Sequence, residues 1–462
     1  MKLTVRHSYK LLFLFGVFFL PFNSYEGISF LGEYKRDAAI IFFLLSSFLF
    51  CIDSLYKGKI KLPQKSIFIQ FLILFLCWIF ISAILNTASI YQNFLKETSG
   101  FGRFIRQLIS LSIALILFIT SYNIIISYSV KSMFLAIRKV SFYSFVIVVF
   151  YGLIETLIVY FNIFQLKQFI LLFDYLPFID VFLDFKGARI SSVTYEPPFL
   201  AIYLITIAGW MFSYIITSKG VKKYLPTLLV FMITFFSGSR TALIVVLVQF
   251  IIFIAVIFTV SIRLRKIINK FIILSSVLLI ILFVFNGKRI SQAIETKVES
   301  LNFKENLTTN ISNKSRLGIQ YTSLLIFLEN PVSGVGFGQQ AYHARSIYPK
   351  WATTNNYEFE LFYLNDKIKS FPPGFNIYTR LLAETGIIGF GIFTILLILI
   401  LYQCTVSIKR RLQDEKTISI VLLVSFIGFT INWLQFDSFR MYGFWICLSL
   451  LIAQLNEKRI HE

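Results

Sequence analysis

S-I-F-I-Q-F-L-I-L-F-L-C-W-I-F-I-S-A-I-L, residues 66–85, runs for twenty positions without one charged side chain. As an α-helix it rises about 30 Å, the thickness of a bilayer's hydrocarbon core. A membrane strand would instead alternate apolar and polar residues over about ten positions, so the continuous Phe/Ile/Leu run excludes a β-barrel. Similar runs at 11–30, 38–56, 106–128, 141–162, 197–216, 224–238, 241–260, 271–286, 385–404, 417–434 and 441–456 bring the predicted spans to twelve. The fold class is an all-α, polytopic membrane protein. Composition agrees: of 462 residues 57% are hydrophobic and 15% charged, against about 25% charged in soluble domains. Lys2, Arg6 and Lys10 before L-L-F-L-F-G-V-F-F-L imitate a signal peptide, but no small-residue cleavage site follows, and this is read as an uncleaved first span.

The formal charge of +21 is spread over many loops instead of one face, which argues for membrane topology and against nucleic acid as a partner. Short basic segments recur on one side: Lys2/Arg6/Lys10, Lys57/Lys59/Lys61/Lys65, Lys131/Arg138/Lys139, Lys219/Lys222/Lys223, Arg263/Arg265/Lys266/Lys270, Lys409/Arg410/Arg411/Lys416 and Lys458/Arg459. Both termini are therefore expected in the cytoplasm. The chain divides into spans one to nine at 1–286, a large outer loop at 287–383, and spans ten to twelve with a cytoplasmic tail at 384–462. Cys51, Cys77, Cys404 and Cys447 all lie in apolar runs, where a thiol is a small packing residue. No disulfide, metal site or cofactor is expected.

The outer loop is the one long polar stretch. It contains R-L-G-I-Q-Y-T-S-L-L-I-F-L-E-N-P-V-S-G-V-G-F-G at 316–338, read as a helix over 317–329 stopped by Asn330-Pro331, because proline disfavours helical backbone in the residue before it. G-V-G-F-G at 334–338 lacks dinucleotide-loop spacing and is read as a tight turn. Arg189, Arg240, Arg316, Arg380 and Arg440 all fall near outer helix ends. Singly, each snorkels or satisfies a helix end; together they form a planar-donor array suited to phosphate. Glu196 and Glu384 stand at helix starts, where a carboxylate either caps or catalyses. His343 is the histidine of the outer segments, either an ordinary loop residue or a substrate ligand.

Three blocks, S-G-S-R-T-A-L at 237–243, the 316–338 block and F-N-I-Y-T-R-L-L-A-E-T-G-I-I-G at 375–389, resemble the O-antigen polymerase and ligase family of bacterial inner membranes. The resemblance implies a GT-C-like glycosyltransferase, with undecaprenyl-pyrophosphate-linked oligosaccharide as donor, membrane lipids around it and a chain-length regulator among its partners. The family's ligases carry a His-Asn pair where this chain has Gly374, Phe375 and Asn376, which points to a polymerase of O-antigen or capsule. The resemblance assigns Arg189, Arg240 and Arg316 to pyrophosphate and matches Asn376, Tyr378 and Glu384 to its third block. The candidates for catalysis are thus Glu196, Glu384, Asn376 and Tyr378, and those for substrate binding Arg380, Arg440 and His343. A ligase is the alternative. A lipid-linked oligosaccharide flippase is a rival of another class, disfavoured because no internal repeat is visible and a long outer loop would serve it little.

Overall fold

The computed structural model describes residues 5–58, 60–185, 187–260, 310–410 and 413–461, with short pieces between 265 and 280. The predicted span at 271–286 and the polar tract as far as 309 lie for the most part outside the described residues. The principal helices are α1 (Val5–Phe18), α2 (Ala38–Lys57), α3 (Ile67–Leu85), α4 (Gly100–Tyr128), α5 (Val130–Val159), α6 (Pro197–Thr217), α7 (Leu225–Phe236), α8 (Arg240–Val260), α9 (Ile311–Glu329), α10 (Ile377–Arg410), α11 (Gln413–Asn432) and α12 (Tyr442–His461). Strand is confined, among the described residues, to a two-residue hairpin of Phe94–Leu95 and Thr98–Ser99.

Eight of these helices are long and apolar enough to cross a membrane: α2, α3, α4, α5, α6, α8, α10 and α11. Three other predicted spans form helices that fall short of that measure. α1 has 14 residues and stops before Pro21, and α7 has 12. α12 reaches the needed length only by including Gln454, Asn456 and Glu457.

The layering follows side-chain character. α6 and α11 bury 72% of their apolar windows and pack on each other, whereas α3 buries 28% and α10 33%. The first pair is the protein's centre, and the second pair turns most of its apolar surface outward, as lipid requires. One continuous apolar cluster fills the bundle. Its densest part is aromatic: Trp433 lies 4.8 Å from Phe444 and 5.4 Å from Phe393, ring centre to ring centre.

Two helices begin earlier than the apolar pattern predicts, in both cases because an asparagine caps a polar first turn. α9 starts at Ile311, not 317, with Asn310 Oδ1 accepting the amide of Asn313 at 3.2 Å. α10 starts at Ile377, not 385, so Tyr378, Arg380 and Glu384 ride on helix instead of loop. α9 ends at Glu329, at the predicted Asn-Pro stop.

α10 is broken at Gly386, whose φ of 63° is left-handed, and there the main chain of 331–336 crosses it. Val335 N donates to Ala383 O at 2.9 Å, Gly336 N to Glu384 O at 2.9 Å and Ile387 N to Pro331 O at 2.8 Å. A side chain at Gly386 would strike the Val332 carbonyl. The G-V-G-F-G turn, with positive φ at Gly334, Gly336 and Gly338, thus seats α9 against the start of α10.

Candidate functional site

Two residues of the S-G-S-R turn build the first wall. Ser239 caps α8, its Oγ accepting the amide of Ala242 at 3.2 Å, and so sets Arg240 as the first helical residue. Gly238 has φ 66°, and a Cβ there would lie 2.7 Å from Cγ of Arg189. The stem of Arg189 therefore rests directly on the turn, where only glycine leaves room for it.

Arg189 comes from the connection between α5 and α6. Asp184 and Arg189 form an isolated antiparallel bridge, closed by Gly187 N donating to Asp184 Oδ1 at 2.7 Å. The next residue, Ile190, is fully buried and its amide donates to Phe236 O at 3.4 Å, the last residue of α7. This stitches the Arg189 segment to the S-G-S-R turn.

Arg316 completes the group from the second turn of α9. Asn313, one turn earlier on the same face, accepts from Arg240 Nη2 at 3.4 Å. Arg316 Nη1 donates to Gln435 Oε1 at 3.2 Å, and the guanidinium lies 5.2 Å from the ring centre of Phe375. Its Nε is buried and has no hydrogen-bond partner. Burial pushes the Arg316 guanidinium below its ordinary pKa and the nearby Arg240 and Arg189 push the same way, against Glu358 and Tyr363. Three arginines from distant parts of the chain are thus electrostatic neighbours, with a donor unspent. Such a gathering repels itself until an anion enters, and planar forks suit phosphate oxygens.

Phe375, facing Arg316, has φ 57°, an outlier for a bulky residue and a form of strain that clusters at functional sites. Asn376 beside it caps α10: its Oδ1 accepts the amides of Tyr378 at 2.9 Å and Thr379 at 3.3 Å, while Nδ2 donates to Gln320 Oε1 at 3.3 Å. Gln320 is one turn beyond Arg316, so Asn376 reaches the rim of the arginine group. Because aspartate keeps the cap, Asn376→Asp should retain near-normal product, whereas Asn376→Ala should lose about 1 kcal/mol of stability. Thermal unfolding and product length measured on both variants check this; inactive but stable Asn376→Asp would instead assign the amide to chemistry.

The other predicted residues stand elsewhere. Tyr378 donates to Thr430 O at 2.8 Å. Arg380 is enclosed: Nε pairs with Glu384 Oε1 at 3.1 Å, Nη1 donates to Asp437 O at 2.7 Å and Nη2 to Gln107 Oε1 at 2.8 Å. Arg440 lies 3.8 Å from Asp37, donates to the Glu33 carbonyl and stacks over Tyr34. Burial raises the Asp37 carboxyl above its usual range, against the opposing pull of Arg440 and Tyr442. A cavity of about 60 Å³ is bounded there by Asn23, Asp37, Tyr203, Phe436 and Arg440. Glu196 caps nothing with its side chain; partial burial raises its pKa, and Arg36 opposes that. His343 meets Ser89 Oγ at 3.2 Å. The carboxylate acting on its charge, Glu329, ends α9, roughly 20 Å of helix from Arg316. Of the five arginines, then, Arg189, Arg240 and Arg316 come together, and Arg380 and Arg440 are held elsewhere in ion-paired networks that Gln107 and Glu33 join.

Glu155 is a residue that sequence reasoning missed. It is fully buried in α5 and accepts the amides of Ser191 and Ser192. The available signal was a carboxylate inside an apolar span, I-E-T at 154–156, which is itself a pointer to function.

Residues 225–394 match the family model described as O-antigen ligase. The match runs from α7 into α10 and takes in Arg240, Arg316, Asn376, Arg380 and Glu384; Arg189 and Arg440 lie outside it. Among curated proteins none matches the chain.

Proposed function

We propose, on the match of residues 225–394 to the family model described as O-antigen ligase, that the chain is a polysaccharide polymerase of the bacterial inner membrane. The glycan on one undecaprenyl pyrophosphate is transferred to the non-reducing end of a second lipid-linked repeat unit at the periplasmic face. The observation that carries this is the gathering of Arg189, Arg240 and the incompletely bonded Arg316. As an acceptor hydroxyl bonds to the anomeric carbon and gives up its proton to water, the carbon–oxygen bond to pyrophosphate breaks and negative charge grows on the leaving group. Preorganised guanidinium donors stabilise that charge.

Phe375 supports polymerase over ligase. It stands against Arg316 in the segment where ligases of the resembling family carry histidine, and His343 is too distant to substitute. In this reading both termini are cytoplasmic, the outer loop at 287–383 faces the periplasm, and a chain-length regulator is a partner.

A null strain distinguishes the two activities. Surface polysaccharide should shrink to a single repeat unit on its anchor, read by gel electrophoresis of the extracted glycolipid. Long chains stranded on undecaprenol but missing from the final anchor would establish the ligase.

A further inference from the structure

We infer that Glu155 is the positioning residue of the arginine site, holding Arg189 in place through the main chain of Ser191 and Ser192. The inference rests on the reading of Arg189, Arg240 and Arg316 as a pyrophosphate site. Glu155 is wholly buried, one turn from the end of α5. Its two oxygens are used separately: Oε1 accepts Ser191 N at 3.1 Å and Oε2 accepts Ser192 N at 2.8 Å. Removing a carboxylate from water in a membrane span is unfavourable, and its retention marks a task that an apolar residue cannot do.

The task is legible in what those amides belong to. Ala188 and Ser192, at φ 44° and 53°, bracket the segment in left-handed backbone that neither residue prefers. Such conformations persist only where the surroundings over-determine them. Here the constraints are the carboxylate, the Ile190 amide on Phe236 O and the Ser192 hydroxyl, which donates to Val148 O of α5 at 2.8 Å. All three act on residues 190–192, and what emerges from that clamp is Arg189, with its stem on Gly238. A glutamine cannot replace the acid here. It offers one acceptor, and its amide group would meet the second backbone N–H donor to donor.

Binding of inorganic pyrophosphate to the purified full-length protein tests this. Glu155→Gln should weaken affinity about tenfold, as should Arg189→Ala, and the double variant should bind no more weakly than Arg189→Ala alone. That non-additivity separates positioning through Arg189 from general loosening of the bundle, which would make the two losses add. Additive losses, or parent-like affinity in Glu155→Gln while the arginine variants weaken, would overturn the inference and leave the pyrophosphate site standing. Parent-like affinity in the Arg189, Arg240 and Arg316 alanine variants would remove the site and the inference together. If Glu155→Gln does not accumulate, Glu155→Asp keeps the charge but loses reach; its weaker binding should vanish in the Arg189→Ala background, and persistence there overturns the inference.

Discussion

Arg316→Lys should leave normal amounts of protein in the membrane and almost no polymer, the phenotype of Arg316→Ala. Lysine keeps the positive charge and most of the stem. It loses the planar fork, which here splits its work: Nη1 holds Gln435 while the buried Nε remains without a partner. A single ammonium cannot meet a neutral acceptor on one side and phosphate oxygens on the other with fixed geometry. Loss of one preorganised donor to a developing anion costs roughly 10²–10³ in rate, enough to abolish long chains. The comparison belongs in a null strain at matched membrane abundance, with chain length read on gels. Near-normal polymer from Arg316→Lys would reduce the residue to a charge, and full-length polymer from Arg316→Ala would remove the donor site from this position.

The second large effect concerns folding. Arg380→Met should sharply lower the amount of folded protein, because it leaves the carboxyl of Glu384, 2% exposed, without its partner and also strands Gln107 and the Asp437 carbonyl. Breaking a buried pair from one side costs about 3–5 kcal/mol. Arg380→Met combined with Glu384→Gln should recover part of the loss, since the unpartnered carboxyl is gone. Size-exclusion profiles of detergent-solubilised protein report both outcomes. If Arg380→Met folds normally but yields no polymer, Arg380 is a substrate ligand after all.

That contrast between Arg316 and Arg380 marks how far the sequence could be read. The membrane class was open to reading because a continuous apolar run has one physical meaning at this length, as at 67–85. The 329 stop of α9 was legible from Asn330-Pro331, since that rule is local. The early starts at Ile311 and Ile377 were not, because hydropathy is blind to an asparagine that caps a polar turn. Position near an outer helix end did not separate the five arginines; only the family resemblance set Arg189, Arg240 and Arg316 apart from Arg380 and Arg440. Their sorting depends on contacts hundreds of residues apart in sequence, such as Gln107 with Arg380 and Glu33 with Arg440, which no local pattern encodes. Glu155 was legible only as a carboxylate inside an apolar span; its task was not, because its partners are backbone amides, which have no sequence signature.

The crossing at Gly386 bears on how this protein can diversify. α9 is joined to α10 there by peptide groups, and a peptide group makes no demand on the identity of its side chain beyond glycine where chains touch. The outward residues of α9, Leu317, Tyr321, Leu324 and Leu328, are 38–69% exposed and take no part in that clasp. They are free to drift while Arg316 keeps its address, so variation can accumulate beside the anion site without disturbing it.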